Sequence, residues 1–298
     1  MLQRGERPAA EIQEHHVLDA VAHLVKVAEG NTLVVTHGNG PQVGMLAVES
    51  ASDPVLDHPF PFDVLGAQTQ GMIGYWLAQA LANALPARRV VALVTQTVVD
   101  LNDPAFSNPT KFVGRGYAPD EARPTAGTGW TMRRDGPLWR RVVASPEPLE
   151  VVEIATIREL VATGTIVVCA GGGGVPVARD EAGSLHGVEA VIDKDLATAV
   201  IARDVNADAM LILTDVAAVL AGYGTANERP IHSATVSELR AMTFPAGSMG
   251  PKVEAACRFV EATGGRSAIG SFDDSLEVLL GTAGTTVVAS RNPRGPSE

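Results

Sequence analysis

The stretch Thr32-Leu33-Val34-Val35-Thr36-His37-Gly38-Asn39-Gly40-Pro41-Gln42-Val43-Gly44 decides the fold. Its first five residues form a short apolar run rich in β-branched side chains, and three glycines follow within eight positions. A buried strand that runs into a glycine turn and then a helix is half of a βαβ unit. Upstream, Val17, Val21, Leu24, Val25 and Ala28 recur at helical spacing between Glu11 and Ala28, and Glu29-Gly30-Asn31 supplies a stop.

Downstream the same alternation repeats. The pattern predicts helix Ala67–Leu85, strand Val90–Thr95, helix Val151–Thr163 and strand Thr165–Ala170. Helix Lys194–Asn206, strand Met210–Thr214, helix Pro251–Thr263 and a strand near Thr285–Val288 complete it. Strands separated by helices imply an α/β fold whose mostly parallel sheet is covered on both faces. From Leu101 to Pro148 the alternation gives way to a stretch rich in Pro, Gly and Arg, too long for a simple loop. It reads either as an inserted subdomain or as a solvated excursion anchored by Trp130 and Trp139. The tail Arg291–Glu298 reads as frayed.

Composition bounds the function. With 298 residues, 46% apolar, the chain can bury a real core, and a formal charge of −11 leaves no basic surplus for coating nucleic acid or an anionic membrane. No run approaches the ~18 apolar residues of a membrane helix. The two cysteines, Cys169 and Cys257, lack metal or disulfide spacing, and a reducing cytoplasm is the simplest home. Of 23 basic residues only Lys26, Lys111, Lys194 and Lys252 are lysine.

In open α/β sheets the ligand site lies beyond the carboxyl ends of the strands. Four turns there are unusual. Gly38-Asn39-Gly40 can offer bare backbone N–H groups to an anion, although glycines after a strand also serve simply to turn the chain. Gly171 to Gly174 carry an entropic cost that makes sense if something must approach the backbone closely; the alternative is a flexible loop. Asp193-Lys194-Asp195 opens a helix with a cation where the macrodipole disfavours one. Gly247-Ser248-Met249-Gly250-Pro251-Lys252 repeats that wrong-signed lysine, and Lys111 sits at the edge of the insertion. A compact ammonium suits phosphate oxygens, and lysines with glycine turns and orienting carboxylates are the parts of phosphoryl transfer. Thr214-Asp215, after a strand, is placed to reach a nucleotide. His37 reads as loop support rather than a base, and Lys26 as an ordinary surface residue.

These residues carry a resemblance. The segments Val35–Gly44, Asp63–Tyr75, Asp103–Phe106 with Pro109-Thr110-Lys111, Trp139–Val143, Gly171–Pro176, Gly187–Asp195, Leu213–Val216 and Gly247–Lys252 occur in the order in which similar segments occur in the carbamate kinases of the amino acid kinase family, and they span nearly the whole chain. The resemblance implies a three-layer αβα sandwich with a mainly parallel central sheet. Residues 1–190 would hold carbamate or carbamoyl phosphate, with 101–148 as a protruding lid, and residues 191–298 would hold the nucleotide. The implied reaction is reversible phosphoryl transfer between ATP and carbamate, giving ADP and carbamoyl phosphate, with Mg²⁺ accompanying the nucleotide, no protein metal ligand, and a homodimeric assembly.

Residue by residue, the resemblance implies that Lys111, Lys194 and Lys252 neutralise the migrating phosphoryl group and that Asp195 organises the lysines. Gly38, Asn39, Gly40, Gly172 and Gly173 would cradle the carbamate side, while Thr214, Asp215, Met249 and Lys252 would border the nucleotide. One departure stands out. Family members begin with a strand leading into Gly-Gly-Asn-Ala, whereas this sequence starts at Met1-Leu2-Gln3-Arg4-Gly5-Glu6, just past that point. Alternative expectations are therefore a nucleotide-binding protein with little activity, or a kinase of another small carboxylate or phosphonate.

Overall fold

The structure, a computed structural model, describes residues 9–122, 130–245 and 247–289. The Arg291–Glu298 tail and the Met1–Glu6 start lie outside them. The chain divides into two compact units, Met1–Asp19 with Thr32–Ala197, and Ala20–Asn31 with Thr198–Glu298.

Helix α1 (Ala10–Ala28) spans the sequence boundary at Asp19. In the first unit it is followed by β1 (Val34–Val35), α2 (Gly40–Ser52), α3 (Phe62–Ala84), β2 (Val90–Ala92), β3 (Gln96–Val98), α4 (Pro104–Ser107) and β4 (Lys111–Tyr117). Then come α5 (Pro119–Ala122), β5 (Thr131–Asp135), β6 (Leu138–Val143), β7 (Glu150–Val151), α6 (Ile154–Ala162), β8 (Ile166–Val168), β9 (Val175–Arg179), β10 (Leu185–Gly187) and the start of α7 (Lys194–Asp204). Strands β1, β8 and β2 pair in parallel, with Val34 opposite Val167 and Val90 opposite Ile166. Strand β8 is buried on both faces, as its unbroken Ile-Val-Val run requires.

A second sheet runs β10-β9-β3-β7, and here the expectation of parallel pairing holds for β3 with β9 only. Strand β10 returns on β9 after the short Asp180–Ser184 turn, a connection that closes only an antiparallel hairpin. The stretch between β3 and β7 builds its own antiparallel sheet, β4-β6-β5. That sheet is seated on the core: Val113 and Val143 pack with Val43, Ala47, Phe62 and Leu65. Gly44 of α2 meets Gly114 of β4 so closely that a Cβ on Gly44 would lie 2.2 Å from the Gly114 Cα. Only glycine permits that crossing.

The second unit contains β11 (Ala209–Thr214), β12 (Val219–Ala221), β13 (Arg229–Ile231), β14 (Ser233–Thr235), α8 (Val236–Arg240), α9 (Met249–Thr263), β15 (Arg266–Ser271), α10 (Ser275–Leu280) and β16 (Thr285–Val288). Its main sheet runs β11-β15-β16-β14, with β11 and β15 parallel over six residue pairs and β16 antiparallel to β15. Helix α9 buries Val253, Ala256, Cys257 and Val260, a stripe at i, i+3, i+4, i+7, and stops at Gly264 in the left-handed conformation. Because α9 feeds directly into β15, it runs antiparallel to β15 and β11. Its N-terminus therefore lies toward the carboxyl end of β11. No helix of the described residues is long and apolar enough to cross a membrane.

Candidate active site

In the first unit the strands end in two glycine turns that pack against each other. After β1 the chain turns at Gly38-Asn39-Gly40 and enters α2, whose first turn contains Pro41. After β8 it turns at Ala170 and Gly171 to Gly174, with Ala170 left-handed at φ 48° and Gly172, Gly173 and Gly174 at φ 65°, 95° and 93°. The groups that approach this glycine backbone are protein. A Cβ on Gly171 would lie 2.2 Å from the His37 ring, on Gly172 2.2 Å from the Asn39 amide, on Gly173 2.7 Å from Ile192, and on Gly174 2.2 Å from the Thr97 hydroxyl. Gly172 N–H donates to His37 O at 2.7 Å and Gly173 N–H to Ala170 O at 2.9 Å. By contrast, among the described residues nothing lies within 4 Å of a Cβ placed on Gly40.

His37 is buried, and its Nδ1 donates to the Gly38 carbonyl at 3.1 Å. Burial lowers its pKa to about 4; the bond to Gly38 opposes this and the charge of Lys194 adds to it. The imidazole is thus neutral near pH 7, in keeping with support of the loop. Asn39 donates its amide to Thr69 Oγ1 of α3 at 2.8 Å.

Next to these turns, Ile192 leads into α7, where the two flanking carboxylates serve different lysines. Asp193 accepts from the backbone N–H groups of Asp195 and Leu196 through Oδ1, at 3.0 and 3.3 Å, capping the helix. Its Oδ2 accepts from Lys111 Nζ at 2.5 Å, across 82 positions of sequence. Asp195 Oδ1 accepts from Lys194 Nζ at 2.5 Å. Both carboxylates are buried while both lysines are partly exposed, so the ammonium groups are tethered at their inner side and reachable from outside. Of the expected site residues, the first unit thus brings together Lys111, Lys194, Asp195, Asn39, Gly172 and Gly173, with Gly38 and Gly40 in the same turn as Asn39.

Glu189 and Arg141 were not foreseen as part of this region. Glu189 Oε2 accepts from the Phe62 N–H at the start of α3 at 2.8 Å, an anion at a helix N-terminus that lacks any side-chain cap of its own. Its other oxygen meets Arg141 Nη2 at 3.4 Å. The Arg141 guanidinium lies between the rings of Phe62 and Trp130, 4.6 and 4.5 Å from their centroids. Burial pushes its pKa below the usual value, with Glu189 opposing the shift. A cavity of about 170 Å³ opens here, lined by Phe106, Pro109, Trp130, Arg141, Val143 and Glu189. In sequence the only trace of this arrangement is the run Trp139-Arg140-Arg141, which marks charge next to an aromatic but not its partner 48 residues away.

The remaining expected residues belong to the second unit. Thr214 ends β11, and its hydroxyl donates to Asp215 Oδ1 at 3.0 Å. Met249 is the first residue of α9 and Lys252 is in its first turn; both are half-buried, and Ser248 makes no side-chain cap. These four share the carboxyl edge of the β11-β15 sheet.

The sequence pattern of the amino acid kinase family matches residues 5–271. The carbamate kinase of Rhizobium meliloti (strain 1021) is 47% identical over 295 residues, covering 97% of this chain and 90% of that protein. That of Haemophilus influenzae is 45% identical over 290 residues, covering 96% and 93%. The solved structure of carbamate kinase from Giardia lamblia bound to AMP-PNP superposes with a TM-score of 0.88 at 41% identity, over 97% of this chain and 95% of that one. With matches of this extent, and tethered lysines beside glycine turns, the chain belongs to the amino acid kinase family, within its carbamate kinase group.

Proposed function

We propose that this protein transfers a phosphoryl group reversibly between ATP and carbamate, forming ADP and carbamoyl phosphate. The observation that carries the reading is the pair of ammonium groups, Lys111 and Lys194, each held by a buried carboxylate of one short segment, Asp193 to Asp195, beside two glycine turns. Phosphoryl transfer asks for placement and charge neutralisation rather than covalent chemistry, and fixed cations that need no reorganisation supply both. Asp195 and Asp193 hold the lysines in place. Gly38, Asn39 and Gly40 cradle the carbamate end, with Gly172 and Gly173 forming the floor against which that loop is seated.

In the second unit, Thr214, Asp215 and Met249 border the nucleotide, and Lys252 neutralises phosphate charge. Mg²⁺ bound with the nucleotide would supply charge neutralisation on the phosphates; the carboxylates of Asp193 and Asp195 face ammonium groups, so phosphate oxygens rather than these side chains would hold it. The division into a carbamate part, residues 1–190 with lid 101–148, and a nucleotide part, 191–298, belongs to the same reading. So do a homodimer and a reducing, cytoplasmic setting, the last supported by two buried free thiols.

The test is ATP formation from ADP and carbamoyl phosphate. Lys194→Ala and Lys252→Ala are each expected to lower kcat by roughly 10²–10³-fold with the fold intact. Rates like those of the unmutated protein in both variants would remove the lysines from the mechanism.

A further inference from the structure

Beneath the glycine turn lies a polar network that none of the proposed roles uses. Gln70 of α3, Thr95 between β2 and β3, and Thr97 of β3 are 3%, 0% and 0% exposed, a depth at which polar side chains persist only when fully partnered. Gln70 grips the backbone of Thr95 on both sides: its Nε2 donates to Thr95 O at 3.1 Å and its Oε1 accepts from Thr95 N–H at 3.1 Å. The same Oε1 accepts from the Thr95 hydroxyl at 3.2 Å, which directs the hydroxyl proton toward Gln70. The lone pairs of that hydroxyl then face Ala170, whose N–H donates to it at 2.8 Å.

The other end of the turn is held from the same place. Val175 N–H donates to Thr95 O at 2.8 Å, and the Thr97 hydroxyl donates to Gly173 O at 2.7 Å. Ala170 is left-handed at φ 48°, a conformation an alanine keeps only when its surroundings impose it. One residue before Gln70, Thr69 accepts the amide of Asn39. A single turn of α3 therefore ties down both glycine turns, one through Thr69 and the other through Gln70 and Thr95.

We infer that Thr95, oriented by Gln70, is a positioning residue for the carbamate side of the reaction: its hydroxyl and carbonyl clamp the Ala170–Val175 turn, and that turn seats the His37–Asn39 loop. The inference rests on the proposed assignment of the Gly38–Gly40 loop to carbamate or carbamoyl phosphate. Losing the clamp loosens the loop and weakens the acceptor end, leaving the nucleotide end, built from another unit of the chain, unchanged.

The experiment compares Thr95→Val, which keeps the shape and deletes the hydroxyl, with Thr95→Ser, which keeps the hydroxyl, and adds Thr97→Val as a milder cut in the same clamp. Amide hydrogen exchange of the segment around Ala170–Val175 is measured on all four proteins alongside steady-state kinetics. Thr95→Val is expected to exchange faster there and to raise KM for carbamoyl phosphate roughly tenfold, with KM for ADP within about twofold. Thr95→Ser should match the unmutated protein, and Thr97→Val should fall between. Equal behaviour of Thr95→Val and Thr95→Ser, or unchanged exchange in both valine variants, overturns the clamp. Faster exchange with no selective change in the KM for carbamoyl phosphate keeps the clamp but removes its role on the carbamate side. Should Thr95→Val not fold, the Thr97→Val and Thr95→Ser pair decides by the same two readouts. Absence of carbamoyl phosphate turnover in the unmutated protein counts against the assigned reaction, and the exchange data still judge the clamp.

Discussion

The glycine turns at Gly171–Gly174 and at Gly247–Gly250 use glycine for opposite reasons. At Gly171–Gly174 every missing Cβ makes room for another part of the protein, and three of the four residues have positive φ. At Gly247–Gly250, where the chain enters α9, a Cβ on Gly247 meets nothing within 4 Å among the described residues and one on Gly250 has the Pro245 carbonyl at 3.1 Å. The first turn is filled from within and acts as a brace; the second leaves space outside the backbone. In sequence both read as glycine-rich turns. What separates them is whether the vacated volume is occupied by the chain itself.

The largest break in this comparison is expected from Gly172→Ala. Its Cβ enters the Asn39 amide at a φ of 65°, so the Gly171–Gly174 turn cannot relax without moving the Gly38–Gly40 turn, and a loss of roughly 3 kcal/mol in urea unfolding is expected. A change below about 0.5 kcal/mol would show that Gly38–Gly40 and Gly171–Gly174 do not brace each other.

Of similar or slightly smaller size is the effect of pH through His37, the ring that fills the space over Gly171. Its pKa is about 6.5 in the unfolded chain and about 4 when folded. Between those values the unfolded chain binds a proton that the folded one does not, so stability rises with pH across the window. Acidification from pH 6.5 to 4 therefore removes about 3 kcal/mol, and the loss is complete once the pH is below 4. His37→Asn should flatten that part of the stability-versus-pH curve; an unaltered slope would place the titrating group elsewhere.

The smallest effect sharpens the contrast. Gly247→Ala is expected to change unfolding by less than about 0.5 kcal/mol, because among the described residues nothing lies within 4 Å of the new methyl. Destabilisation as large as that of Gly172→Ala would erase the distinction between the two turns.

Much of the architecture was legible because it depends on local pattern. The Lys194–Asp204 and Met249–Thr263 helices and the Thr285–Val288 strand fall within a few residues of where periodicity puts them. Pairing direction was less legible. Strand β16 runs antiparallel to β15 although a helix stands between them in sequence, and β10 folds back on β9, so the sheets are mixed where alternation suggested mostly parallel order. Alternation reports that strands and helices take turns; it does not report which edge a strand returns to.

The site divides in the same way. Lysine scarcity and wrong-signed helix starts pointed to Lys111, Lys194 and Lys252, since an unfavourable charge at a helix N-terminus is visible without any coordinates. That Asp193 would hold Lys111 was not visible, because the two are 82 residues apart and meet through the docking of the β4-β6-β5 sheet on α2. Gln70, Thr95 and Thr97 were silent for a related reason: in sequence they are ordinary polar residues, and their meaning comes from complete burial.

By itself, then, the sequence determined the α/β class, the turns where chemistry collects and the lysines that serve it, because propensity, hydrophobic period and charge placement are properties of neighbouring residues. Tertiary structure alone decided which carboxylate holds which lysine, which glycines make room for protein and which leave open space, and which buried hydroxyl supports the turn. Those are questions of what fills the volume next to each group, and packing of distant segments answers them.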